Sequence, residues 1–138
     1  MSNIMHTLNG GRSLKANLLW KNQYVETFNY GNVNLVDEFT NYDFLLVEFS
    51  NDRYSTNVKQ FYIKIDENQV YQGFISATFG YLLDTGKRIY RCIQLTYYNT
   101  YSANFTQCWW GDGVVLSTGC IPLKIYGIKG KINGLEKL

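Results

Sequence analysis

The sequence predicts an all-β protein, an antiparallel β-sandwich with a jelly-roll-like arrangement of about nine strands. Of its 138 residues, 17% are aromatic, and it holds 12 tyrosines and 12 glycines but a single proline. Aromatic side chains are favoured in strands, whereas glycine and asparagine are favoured in the tight turns between them. Short apolar runs and turn residues alternate along the whole chain. A chain of this length is expected to bury one core.

The most apolar short run, residues 42–49, is predicted to be the central strand. Its side chains alternate between two faces that are both largely apolar, so burial on both sides is expected. Periodicity alone does not separate such a run from a buried helix. Its aromatic content and its polar flanks, Asn41 and Asn51, favour a strand.

The other strands are predicted from alternating or apolar runs that end at turn residues. Before the central strand they are residues 17–21, 24–30 and 33–36. After it they are residues 58–65, 70–79, 88–98, 101–110, 114–116 and 120–128. Turns are expected at residues 66–69, 99–100 and 111–113. In the long run 88–98, alternation places Arg91 on the apolar face.

The amino-acid composition predicts that the chain is divided into a lead-in and one domain. Residues 1–15 are polar and include the glycine pair Gly10-Gly11, so we expect a lead-in that is flexible or docks onto another molecule. Residues 16–138 then form the single domain, with a loosely held tail from residue 129. Residues 1–16 lack the apolar segment of a secretion signal, and no apolar run is long enough for membrane insertion, so synthesis in a cytoplasm is expected.

Charge and reactive side chains argue against several functions. The formal charge of +2 is scattered, whereas a nucleic-acid partner requires a basic stripe, so none is predicted. The only histidine, His6, lies in the expected lead-in, which disfavours triad catalysis and histidine-ligated metals. The acidic residues sit in or beside predicted turns, where they commonly cap loops, so we expect no enzyme. No cofactor is predicted.

The three cysteines lack the close pair spacing of a zinc site. They sit inside strand-like runs, so small buried thiols are expected. A Cys92–Cys108 disulfide is the alternative if the two strands are neighbours and the protein meets an oxidising setting.

An aromatic cluster around residues 97–110 and the glycine turn 111–113 is the predicted functional feature. Neighbours on a strand face opposite ways, so at most one ring of Tyr97-Tyr98 and one of Trp109-Trp110 can enter the core. Outward rings beside turn amides and acids suit saccharide stacking. The predicted saccharide-binding residues are Tyr98, Asn99, Tyr101, Trp109, Trp110 and Asp112. The alternative is that a second sheet or another subunit covers these rings.

Three stretches carry a family resemblance: residues 17–22 (NLLWKN), 41–49 (NYDFLLVEF) and 120–129 (CIPLKIYGIK). Together they resemble small β modules of tail-fibre and baseplate minor structural proteins from bacteriophages and prophages of Gram-positive hosts. The resemblance implies a non-enzymatic virion protein that recognises host cell-wall saccharide, contacts other virion proteins and forms a homo-oligomer, with a trimer favoured. Two alternatives remain: a purely structural virion subunit, and a polysaccharide-trimming enzyme acting through Asp112 or Glu67.

Overall fold

Two antiparallel sheets face each other in this computed structural model, which describes residues 3–7, 13–51, 57–66, 73–116 and 119–130. The described residues form eleven strands and one short 3₁₀ helix, Phe39–Asn41. The prediction of an all-β antiparallel sandwich is confirmed. The strands are β1 Asn3–Thr7, β2 Ser13–Lys21, β3 Gly31–Asn34, β4 Phe44–Ser50, β5 Val58–Lys64, β6 Phe74–Leu82, β7 Arg88–Thr96, β8 Asn99–Phe105, β9 Cys108–Trp110, β10 Val115–Leu116 and β11 Ile121–Ile128.

The first sheet has the strand order β1-β2-β11-β4-β5. Strand β4, the predicted central strand, has partners on both sides, although β11 is the middle strand of the five. Every residue of β4 except Glu48 is buried. Leu45 and Val47 enter the main core between the sheets, whereas Phe44 and Leu46 pack into a second cluster on the outer face. The predicted burial on both sides is therefore confirmed.

The second sheet is built on β7. Strand β6 pairs along the whole of one edge of β7, from Leu82 opposite Arg88 to Phe74 opposite Thr96. The other edge is shared by β8 and β9, which pair in turn with β3 and β10. Predicted strand 101–110 is thus split in two, because the Thr106 hydroxyl accepts the Cys92 N–H at 3.1 Å where a backbone carbonyl would otherwise pair.

Aromatic side chains join the two sheets across the main core. The ring centroids of Phe49 in the first sheet and Phe79 in the second lie 4.8 Å apart. The rings of Trp20 and Phe105 make a second link at 5.7 Å. Such pairs stabilise a core beyond the area that they bury.

Arg91 is the largest fully buried side chain and lies on the core face of β7. Its guanidinium donates hydrogen bonds to four backbone carbonyls, those of Asn29, Thr106, Gly119 and Cys120. The bonds to Gly119 and Cys120 are 2.9 and 3.0 Å long. Burial away from water lowers the pKa of this group. One side chain therefore fixes three separate connecting segments against β7.

The prediction that residues 24–30 form a strand is wrong. Residues 25–27 form a turn, in which the Thr27 N–H donates to the Tyr24 carbonyl at 3.0 Å. The Asn22 side chain accepts the Tyr24 N–H at 2.8 Å. Asparagine side chains compete in this way with strand pairing, which alternation alone does not reveal.

The predicted lead-in contains strand structure. Strand β1 pairs with β2 from Asn3 opposite Asn17 to Thr7 opposite Ser13, so residues 3–7 and 13–15 belong to the first sheet. Backbone pairing at a sheet edge does not require apolar side chains, so a polar composition is compatible with these strands. That the lead-in is flexible or docks onto another molecule stays a prediction. Residues 1–2 and 8–12 of the lead-in, the hairpin turn beyond residue 66 and the tail from residue 131 lie outside the described residues.

All three cysteines are buried free thiols, as predicted, and Cys92 and Cys108 do not form a disulfide. The Cys92 sulfur lies 3.0 Å from the Ser76 hydroxyl, whereas Cys108 and Cys120 belong to the main core. Burial raises the pKa of Cys120 to about 12. Among the described segments, none is a helix with the length and apolarity to cross a membrane.

Candidate functional site

The six predicted site residues form two groups at opposite ends of β7, not one surface. The group at the β7–β8 turn is Tyr98, Asn99 and Tyr101. The group at the β9–β10 turn is Trp109, Trp110 and Asp112. On β7, Thr96 pairs with Asn99 and Ile89 pairs with Trp110. The seven-residue step between Ile89 and Thr96 spans about 23 Å at strand rise, so the groups cannot share one small ligand.

An open cleft of about 580 Å³ adjoins the second group, and we call it the Trp110 cleft. It lies between the β6–β7 turn and the β9–β10 turn, which meet at this end of the second sheet. Its lining is Gly86, Lys87, Arg88, Tyr90, Trp110, Gly111, Asp112 and Val114.

Hydrogen bonds of ordinary length hold the β9–β10 turn in shape. The Asp112 side chain accepts the Val114 N–H at 3.0 Å, and the Gly113 N–H donates to the Trp110 carbonyl at 2.8 Å. Gly113 has a φ of 93°, a conformation that glycine adopts without strain. The Gly111 N–H donates to the Arg88 carbonyl at 2.9 Å and ties this turn to β7. The β9–β10 turn is therefore fixed by backbone hydrogen bonds and by one oxygen of the Asp112 side chain.

The two tryptophans face opposite ways, as the sequence predicted. Trp110 is half-buried and packs against the main core, and the Lys87 ammonium lies 5.5 Å from its ring centroid. Trp109 lies instead beside Tyr90, with ring centroids 6.0 Å apart and planes 31° apart. Tyr90 also lines the cleft, so aromatic surface continues from the cleft onto the outer face of the second sheet.

A row of polar side chains crosses that same outer face. Strand pairing places Ser76, Gln94, Asn104 and Asn32 side by side on four neighbouring strands. The Asn104 amide donates to the Gln94 side-chain oxygen at 3.2 Å. Since Gln94 and Tyr90 are four residues apart on β7, this row lies about 13 Å from the aromatic pair. Amides beside rings give the face both hydrogen-bonding and stacking groups.

The group at the β7–β8 turn has a different character. Tyr97 packs inward, with its ring centroid 5.5 Å from that of Phe39, whereas Tyr98 is 93% exposed. The predicted in-and-out arrangement of this pair is confirmed. The Asn99 side-chain oxygen accepts the Tyr101 N–H at 3.2 Å, so it shapes the turn. The turn itself lies at residues 97–98, two residues earlier than predicted.

Among the lining residues with charged or aromatic side chains, sequence reasoning missed three: Lys87, Arg88 and Tyr90. Alternation already places Arg88 and Tyr90 on one face of β7. No sequence signal shows that β9 pairs beside the start of β7, and this long-range pairing is what creates the cleft.

The cleft therefore combines two aromatic rings with two cations and a carboxylate, which is chemistry suited to binding. Within the described residues, no group of three or more histidine, cysteine or acidic side chains is placed to hold a metal ion. Comparison of the chain with protein-family models and with curated proteins found no match. The geometry of the cleft is thus the basis for a functional proposal.

Proposed function

We propose that this protein is a non-enzymatic saccharide-binding module of a bacteriophage tail or baseplate, which recognises the cell-wall saccharide of a bacterial host. The Trp110 cleft is the observation that supports saccharide binding. The phage setting is supported by the resemblance carried by residues 17–22, 41–49 and 120–129. In this setting the protein acts in the virion as a homo-oligomer, with a trimer favoured, and contacts other virion proteins.

The lining of the cleft matches what a sugar requires. Sugars present an apolar ring face and a rim of hydroxyls, so they bind where an aromatic plane adjoins polar groups. Trp110 supplies the plane, the Lys87 ammonium lies over its ring at 5.5 Å from the centroid, and the Asp112 carboxylate lines the same cleft. A volume of about 580 Å³ falls within the range of small-molecule sites. Because Trp110 is anchored against the core, little side-chain entropy is lost when a ligand stacks on it.

The test is sedimentation of labelled protein with Gram-positive cell walls stripped of protein. We expect Trp110→Ala to weaken wall binding by about tenfold, which corresponds to the loss of one stacked ring. The matched control is Tyr98→Ala, which removes an aromatic ring at the opposite end of β7 and should leave binding unchanged. Wall binding by folded Trp110→Ala at the wild-type level would refute the role of the cleft.

A purely structural virion subunit is the second candidate, and exposed apolar side chains at the β7–β8 turn favour it. Phe74 is 56% exposed and Tyr98 93% exposed, and the two flank Gly73. In this case another protomer covers these rings. Phe74→Ser with Tyr98→Ser should then lower the native mass of the protein, measured by light scattering. An oligomer of unchanged mass would exclude this surface from the subunit contact.

A further inference from the structure

We infer that the Trp110 cleft selects an acidic saccharide, one whose sugar units carry a phosphate or carboxylate group. This inference rests on the proposed saccharide-binding function and specifies its ligand class. The charged side chains that line the cleft lead to this inference, because stacking of a sugar on Trp110 does not by itself require them.

Positive charge in the cleft exceeds negative charge. Lys87 and Arg88 both line it and are exposed, whereas Asp112 is the single acidic lining residue. One Asp112 oxygen already accepts the Val114 N–H at 3.0 Å. Neither Lys87 nor Arg88 forms an ion pair with another described residue. Arg88 is therefore available to a negatively charged ligand, and Lys87, whose ammonium lies over the Trp110 ring, can exchange that contact for an ion pair.

Both cations line the cleft that a stacked sugar would occupy. The Lys87 ammonium lies over the Trp110 ring, 5.5 Å from its centroid, so a sugar that stacks on this ring displaces the flexible Lys87 side chain toward its own edge, where an acidic substituent can pair with it. Arg88 adds a planar guanidinium, which binds phosphate or carboxylate through two parallel hydrogen bonds. A neutral sugar would partly desolvate these cations without supplying a counter-charge, which costs free energy. Charge therefore favours acidic over neutral saccharides.

A single-stranded nucleic acid also combines rings and phosphates, but the cleft suits it less well. Such ligands are bound along grooves that follow the backbone with a series of cations and stacked aromatics. Two cations line this cleft, and the formal charge of the chain is only +2, with no basic stripe. A saccharide with isolated acidic groups matches this limited charge better.

The test compares four immobilised polymers as probes for the full-length protein: phosphorylated dextran, polygalacturonate, unmodified dextran and a thymidine oligonucleotide. We expect at least one acidic saccharide to bind about tenfold more tightly than dextran at low salt, with the difference shrinking as salt screens the charges. A preference between the first two probes identifies phosphate or carboxylate as the group. The Lys87→Gln, Arg88→Gln double variant should lose about tenfold in acidic-polymer binding.

The control is Lys59→Gln with Lys124→Gln, which removes the same charge from the first sheet. Equal effects of the two double variants would overturn the inference, because net charge would then explain the binding. If dextran binds as tightly as the acidic polymers, and Trp110→Ala weakens that binding, the acidic preference is overturned. The saccharide-binding function then still stands. Tighter binding of the oligonucleotide than of both acidic saccharides, or no binding of any probe by folded protein, would overturn both proposals.

Discussion

Replacing Arg91 with methionine should destabilise the protein severely. The methionine keeps most of the apolar stem but leaves four backbone carbonyls without the donor that they now share. These acceptors cannot be removed by mutation, so two buried carbonyls, of Gly119 and Cys120, and two partly buried carbonyls, of Asn29 and Thr106, lose their donor. Relief from burying a charge offsets part of the loss. At the low end of the cost, roughly 1 kcal/mol for each carbonyl, the free energy of unfolding falls by about 4 kcal/mol.

A loss of this size is a large share of the 5–15 kcal/mol that typically stabilises a domain, and it corresponds to a fall in Tm of about 15 °C. The assay is urea unfolding followed by tryptophan fluorescence, with the denaturant slope compared between variants. The matched control is Arg88→Met, an exposed arginine on the same strand, which should change stability by less than about 0.5 kcal/mol. A loss below about 1 kcal/mol for Arg91→Met, at an unchanged slope, would refute the reasoning.

Three further predictions concern stability. Gly127→Ala places a Cβ 2.6 Å from ring carbons of Tyr42 and should cost about 2 kcal/mol, whereas Gly111→Ala, with its nearest atoms at 3.8 Å, should be nearly neutral in the same urea assay. The raised pKa of Cys120, about 12, means that the folded state keeps a proton which the unfolded chain releases near pH 9. Its stabilising contribution is therefore complete below pH 9 and is lost as pH rises toward 12, so unfolding between pH 8.5 and 10 should depend less on pH in Cys120→Ala. Thr106→Val leaves a β7 backbone N–H without its acceptor and should cost about 1 kcal/mol by thermal melting; an unchanged Tm would contradict the assigned hydrogen bond.

Local pattern was enough to predict the sandwich and much of its core. Alternation in β4 and β7 identified the residues that face inward, including Arg91, because side-chain direction on a strand follows from the period of two. It did not show why Arg91 is tolerated there. The four carbonyls that satisfy it come from segments far apart in sequence, and no local rule brings them together.

The candidate site was predicted less completely, for a related reason. Neighbouring aromatics were correctly expected to face opposite ways, since that depends on one strand alone. The grouping of Tyr98 with Trp110 was not supported. Tyr98 lies at the β7–β8 turn, whereas Trp110 pairs near the opposite end of β7, so most of the length of that strand separates them. Lys87 lies in the cleft because β9 pairs beside β7, and this pairing joins residues far apart in sequence.

The break at Thr106 and Gln107 divides one edge of β7 between two strands, each with its own outer partner. The β3–β8 ladder and the β9–β10 ladder are therefore separate hydrogen-bonded units, which are joined through β7 and through the main core that both help to form. Changes at sites that are distant and have no common contacts generally add in free energy. An evolving or engineered version of this protein can thus vary the β7–β8 turn while keeping the β9–β10 turn intact, or the reverse.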